Sequence, residues 1–228
     1  MSRLTFTLSD GSDQAVDVVR LFNAGYAGRS QADVAAHVAE LAELGVPAPK
    51  VIPALYPVAP YLAQQTGEVS VQHGRTSGEA EWALVVADDG ELLLTVACDH
   101  TDRELEAYGV AWSKNAAPDV LASRAWRLSD VQERIDDLTL RAWVTHGAEE
   151  AEIQNGTLAE LLPPAYWIDV LRERGELLPG TVLISGTIPM AKDVDQFAAG
   201  WRVELGDPAT GDTIELAYRV TRMPEPIG

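Results

Sequence analysis

The sequence predicts an α+β fold in which strands dominate, built around a closed or sandwiched sheet with a few flanking helices. Three observations predict it. Seven short runs rich in β-branched and aromatic residues (EVSVQ, AEWALVV, LLLTVAC, LTLRAWVTH, TVLISGTI, GWRVEL and TIELAYRV) follow one another along the chain. Turn-forming stretches such as ADDGE, LLPGT and DPATGD separate them. Helical patterning is confined to 30–45, 102–112 and 157–174. A chain of 228 residues with 46% hydrophobic content suits one ordinary globular domain, or one domain with a small N-terminal appendage.

In chain order, LTFTL (4–8) alternates like a strand and closes in the turn-rich SDGS. QAVDVVRLFN (14–23) reads as one further short element and NAGYAGRS as a loop. Ser30 suits the N-cap of a helix over 30–45, Gly45 its C′ position, and Val34, Val38 and Leu41 its apolar stripe. PAPKVIPALYPVAP (47–60) is a proline-rich extended crossing, neither helix nor central strand. The helical stretch 157–174 breaks at Pro163–Pro164.

The formal net charge of −18 disfavours a phosphate backbone, so nucleic acid is not an expected partner. Cys98 is the only cysteine, which fits a reducing compartment. The N-terminal residues carry no apolar signal region, and no apolar stretch is long enough to cross a bilayer. The expectation is a cytoplasmic protein without a membrane partner.

Within SGEAEWALV, Glu79 and Glu81 are one residue apart in a strand-like run, so both face one way. Two readings are open: a solvated sheet face, or convergence on a shared cation. Asp99 follows LLLTVAC, at the C-terminal tip of the next predicted strand, and could close a three-oxygen site. All-oxygen ligands favour a hard cation, Mg²⁺, Mn²⁺ or Ca²⁺. His37 and Glu40, at i and i+3, are either an acid–histidine pair that activates water or a surface pair. Lys114 follows Tyr108 and Trp112 and is either a cation beside the site or a surface lysine. Arg103 has acidic neighbours to pair with, and Gly186–Thr187 lies where a strand ends in a turn. His73 reads as a loop residue, His100 faces away from Asp99 by alternation, and Cys98 reads as buried and apolar.

In order and spacing, several segments resemble the fumarylacetoacetate hydrolase superfamily. TSGEAEWALVV (76–86) resembles that family's D-x-E-x-E-L-A-V-V strand, and CDHTDRELE (98–106) its N-D-x-S/T-A-R-D-x-Q segment. WSKN (112–115) stands where the family has W-x-x-x-K-S. QNGT (154–157) resembles Q-x-G-x-T, LLPGTVLISGTIP (177–189) resembles L-x-P-G-D-x-I-x-T-G-T-P, and AHVAELAELGVPAP (36–49) is similar to H-A/V-x-E-M-G-x-P-x-P. The likeness spans roughly 23–205. Ser77 replaces the opening aspartate, the R-N-Y segment is absent, Val58 stands for the F-L-K-P lysine, Asp102 replaces an alanine, and Glu106 a glutamine.

The resemblance implies a mixed β-roll over 23–228 behind an N-terminal strand element (1–22), assembled as a homodimer. It implies Mg²⁺ or Mn²⁺ on Glu79, Glu81 and Asp99, with His37, Glu40 and Lys114 catalytic and Arg103, Gly186 and Thr187 binding substrate. The implied reaction is hydrolysis of a carbon–carbon bond in a 1,3-dicarbonyl or acylpyruvate-type keto acid. Decarboxylation, isomerisation or hydration of a 2-keto acid, and a non-catalytic binding role, are the alternatives.

Overall fold

The computed structural model describes residues 2–30, 32, 34–36, 38, 39 and 51–228. Strands dominate, in three sheets. β1 (Ser2–Thr7) and β2 (Asp13–Val18) form an antiparallel hairpin. The run 14–23 is therefore two elements: the chain leaves the hairpin at Val19, and β3 (Arg20–Gly25) crosses into the large sheet. That sheet runs in the order β4 (Ala54–Val58), β3, β13 (Thr181–Ile184), β7 (Thr76–Val86), β8 (Leu92–Asp102), β9 (Asp119–Leu121), β5 (Ala63–Gln64). β10 (Trp126–Arg127) pairs with β8 off this path. The third sheet orders β12 (Glu149–Thr157), β11 (Thr139–His146), β14 (Gly200–Asp207), β15 (Asp212–Arg222), β6 (Glu68–Val71). The proline-rich crossing supplies β4 at the sheet edge, the place where Pro57 removes no ladder bond.

The large sheet is buried on both faces, which is why its central strands read as nearly continuous apolar runs. On one face Ala80, Trp82, Leu84, Leu94, Val96 and Cys98 pack against the five-stranded sheet through Leu140, Trp201, Val203 and Tyr218. On the other, Ala83, Val85, Leu93, Ala97, Val182 and Ile184 pack against Leu4, Phe6, Leu8, Val16 and Val18 of the hairpin. Glu79 and Glu81 belong by alternation to this second face, and Glu81 has no exposed surface. The solvated-face reading is therefore excluded.

That second face is the inside of a roll. β3 and β9 are four strand spacings apart, about 19 Å in a flat sheet. Yet Asn23 Nδ2 on β3 donates to Asp119 Oδ1 on β9 at 3.4 Å. Only curling brings those side chains together. The two edge strands, β4 and β5, are joined by residues 59–62 alone, a single 3₁₀ turn at Pro60–Leu62. This strand-dominated architecture is compatible with the roll that the resemblance implies.

Along several strands the inner face changes from apolar to polar towards one end. Val85 and Ala83 give way to Glu81 and Glu79, Ala97 to Asp99, Leu21 to Asn23, and Leu121 to Asp119. The hairpin covers the apolar half. Two single-turn helices, Arg103–Glu106 and Val110–Ser113, stand in place of the continuous stretch expected at 102–112, divided at Gly109. The stretch 157–174 splits as the prolines require, into a 3₁₀ turn at Leu158–Glu160 and a helix at Pro164–Glu173. Residues 32, 34–36, 38 and 39 are helical. Among the described residues no helix is long and apolar enough to cross a membrane.

The hairpin holds to the roll through fully buried side chains, Phe6 among them. Phe6→Ala should cost about 3–5 kcal/mol of unfolding free energy. Urea denaturation followed by tryptophan fluorescence measures it, and a loss under 1 kcal/mol would contradict the hairpin's place in the core.

Candidate metal centre

β7 and β8 pair so that Glu79 lies directly opposite Asp99 and Glu81 opposite Ala97. β8 extends through Asp102, so Asp99 sits inside the strand, not at its tip as the sequence implied. Carboxylate oxygens of Glu79, Glu81 and Asp99 all lie within 4.8 Å of one another. Lys114, at the C-cap of Val110–Ser113, points its ammonium at this cluster. Its Nζ pairs closely with Asp99 Oδ2 and lies 3.5 Å from Glu79 Oε2. Arg103 grips the same glutamate from the other side: Nη2 donates to Glu79 Oε1 at 2.9 Å, Nη1 to Glu106 Oε2 at 3.1 Å, and Nε to Ser77 Oγ at 2.7 Å. Its partners are thus Glu79 and Glu106. Asp102 instead caps the Arg103–Glu106 helix by accepting from the Glu104 and Leu105 amides.

Glu81 is held by backbone. The Gly186 N–H donates to its Oε2 at 2.7 Å. Gly186 has φ +82°, and a Cβ there would stand 2.9 Å from the Ala24 carbonyl oxygen, so the turn requires glycine. Thr187, expected to donate to a bound oxygen, is otherwise engaged: its hydroxyl donates to the Ala80 carbonyl at 2.8 Å and accepts from Gln154 Nε2 at 2.7 Å. Gln154 also donates to the Ile188 carbonyl and accepts from the Ala80 amide, which ties β12 to the strand that carries both glutamates.

A fourth carboxylate completes the cluster. Asp119 on β9 pairs in register with Asp99 and accepts from Asn23. Both Asp119 and Asn23 are fully buried, and no spacing in the sequence marks either. Only the pairing of a three-residue strand brings Asp119 to the site. Val58, assigned the lysine position of the F-L-K-P motif, lies in the apolar core, two residues from the half-buried Tyr56. The expected pair His37 and Glu40 lies outside the described residues. His73 pairs with Asp102 at 3.0 Å, and His100 faces away from Asp99 as alternation predicts.

Charge decides what this arrangement can hold. Glu79, Glu81, Asp99, Asp119 and Glu106 face two cations, Arg103 and Lys114. Burial alone would raise the Glu79 carboxyl, but Arg103 and Lys114 outweigh it and hold it down at about 2. Glu81 has no such partner at contact distance: burial, with the charges of Asp99 and Glu79 adding, pushes it well above the usual carboxylate range. Asp119 is raised for the same reasons, burial and then Asp99. Burial would lower the Lys114 ammonium, but Asp99, Glu79 and Glu81 overcome that and raise it. Glu81 Oε1, Asp99 Oδ1 and Asp119 Oδ2 are buried without a hydrogen-bond partner. Converging, unpartnered, all-oxygen donors with an excess of negative charge fit a hard divalent cation.

A family model described as a protein of unknown function, DUF2848, matches residues 24–218. The chain belongs to the DUF2848 family. No curated protein matches it in sequence. The fold of this DUF2848 member is shared with solved structures of low identity. One is 2-keto-3-deoxyarabinonate dehydratase, with TM-score 0.65 and 17% identity over 92% of this chain and 76% of that one. Another is the same dehydratase complexed with magnesium and 2,5-dioxopentanoate, at 0.63 and 16%, covering 92% and 75%. A third is Cg1458, at 0.61 and 16%, covering 92% and 78%.

Metal-stripped protein should bind one Mn²⁺ per chain, and Glu81→Gln should abolish it; equal titrations for the two proteins would remove the site. The pH dependence has a definite sign. A carboxyl raised in the folded state binds its proton more tightly there than in the unfolded chain. The metal-free fold therefore loses stability as pH rises from the ordinary carboxylate range through the folded pKa of Glu81. Metal competes with that proton, so saturating Mn²⁺ should raise the melting temperature more at pH 8 than at pH 5. At a hundredfold excess over Kd the gain is about 2.7 kcal/mol. Thermal scans with and without metal at both pH values check this.

Proposed function

We propose that this chain is a divalent-metal-dependent enzyme of the fumarylacetoacetate hydrolase type, acting on a small keto acid by hydrolysing a carbon–carbon bond. The observation that carries the reading is the convergence of Glu79, Glu81 and Asp99, with Glu81 Oε1 and Asp99 Oδ1 buried and unpartnered. In this reading the three carboxylates hold Mg²⁺ or Mn²⁺. The ion supplies Lewis-acid polarisation of a carbonyl oxygen in a bound 1,3-dicarbonyl or acylpyruvate.

The chain's own groups do the rest. Arg103 and the Gly186 amide fix the orientation of Glu79 and Glu81. Lys114 places a buried positive charge beside Asp99, where it stabilises the negative charge that develops on the substrate. His37 with Glu40 takes the proton of the attacking water. Water's oxygen bonds to the acyl carbon, and the carbon–carbon bond breaks. Its electron pair leaves with the keto-acid fragment, which then takes up a proton. Arg103, Gly186 and Thr187 line the substrate side of this proposal, the last by shaping the turn. The proposal places the enzyme in the cytoplasm as a homodimer.

The shared fold with a keto-acid dehydratase favours a second reading, elimination of water from a 2-keto-3-deoxy acid at the same centre. NMR of products separates the two. Incubation with Mg²⁺ and an acylpyruvate should give two carbon fragments, whereas dehydration keeps the skeleton whole. Metal-loaded protein that leaves both substrate classes intact would point to a binding protein instead. Lys114→Met should lower kcat by about 10²–10³ while Mn²⁺ still binds; unchanged turnover would remove Lys114 from the chemistry.

A further inference from the structure

The residues beside the metal-site carboxylates on β7 and β8 turn their side chains the other way, into the core between the two sheets. There four polar side chains form a connected, buried chain that the proposed reaction does not use. The Tyr218 hydroxyl, reaching from β15 of the five-stranded sheet, lies 2.9 Å from His100 Nδ1 and 3.2 Å from Cys98 Sγ. His100 Nε2 continues to Thr76 Oγ1 at 3.0 Å. Cys98 and His100 have no exposed surface, and Thr76 and Tyr218 are 4% exposed. Cys98 and His100 are the immediate neighbours of Asp99, one on each side. Thr76 lies on β7, three residues before Glu79.

Gly78 shows how closely this contact is built. It stands opposite His100 in the β7–β8 register and next to Glu79. A Cβ at Gly78 would meet Cys98 Sγ at 2.6 Å, Trp201 Cδ2 at 2.7 Å and the Tyr218 hydroxyl at 2.7 Å. The absence of a side chain at 78 is what lets that hydroxyl reach the pair flanking Asp99. On the inner face Lys114 pairs with both Asp99 and Glu79 and so ties β8 to β7. On the opposite face His100–Thr76 ties the same two strands, and Tyr218 anchors β8 to the five-stranded sheet.

We propose that Tyr218 is a positioning residue for the metal centre: its hydroxyl, acting through Cys98 and His100, fixes the stretch of β8 that presents Asp99 to Glu79 and Glu81. The inference rests on the metal reading above, and it adds a determinant on a different sheet from every proposed ligand. Outer partners of metal ligands typically tune affinity by 10–100-fold. Tyr218 acts one step further away, so Tyr218→Phe, which keeps the ring and deletes the hydroxyl, should weaken Mn²⁺ binding about tenfold, at the low end of that range.

The experiment titrates metal-stripped wild type, Tyr218→Phe, Thr76→Val and Thr76→Ser with Mn²⁺, with electron paramagnetic resonance of the bound ion and melting temperatures alongside. Support is weakened affinity and an altered spectrum in Tyr218→Phe and Thr76→Val, with Thr76→Ser restoring wild-type values. A lower melting temperature at unchanged Mn²⁺ affinity and spectrum would make the network purely structural and overturn the proposal. If Tyr218→Phe does not fold, the two Thr76 variants decide by the same criteria. Wild type that binds no Mn²⁺ would overturn the metal reading itself, an outcome distinct from failure of the clamp.

Discussion

Burying four carboxylates on one concave face is the constraint around which the rest of this protein is arranged. Ionised groups out of water are costly unless paired. Each pairing draws a different part of the chain inward. Arg103 comes from the first turn after β8, Lys114 from the next, the Gly186 amide from the end of β13, and Asn23 from β3. Only two of these partners carry a positive charge, and the shortfall is concentrated on Glu81 and Asp119. A bound divalent cation would offset that imbalance, which is the physical basis of the metal reading.

The roll makes this burial achievable. In a flat sheet Asn23 and Asp119 would be strangers; curling makes them partners. The inner surface is then divided between two tasks. One half is sealed by the apolar side of the β1–β2 hairpin, and the other is left to the charged groups under the two single-turn helices. Stability and chemistry thus lie on the same strands, displaced along their length by only a few residues.

Much of this was legible in the sequence where the information is local. Period-two alternation put Glu79 and Glu81 on one face, proline placement put β4 off the sheet centre, and Gly186 marked a turn that only glycine tolerates. The sequence marks Asp99 but ends its strand early, because His100, Thr101 and Asp102 look like a polar loop until their burial is known. Asp119 and Asn23 were missed altogether. They meet across 96 residues of chain and four strand spacings, and no periodicity encodes that. Thr187 was expected to face a ligand, yet its hydroxyl belongs to the Ala80 carbonyl, a partner that only the strand register reveals. His37 and Glu40 lie outside the described residues, and their pairing is an expectation from the sequence.

The position of β13 has a consequence for how the molecule is made. This strand comes late in the chain, yet it lies between β3 and β7, parallel to the first and antiparallel to the second. A growing polypeptide can form the β1–β2 hairpin and the β7–β8 ladder early, but the centre of the large sheet stays open until residue 184 has left the ribosome. Glu81 waits on the same event, since its backbone donor is Gly186. Such long-range pairing folds slowly and leaves strand edges bare meanwhile.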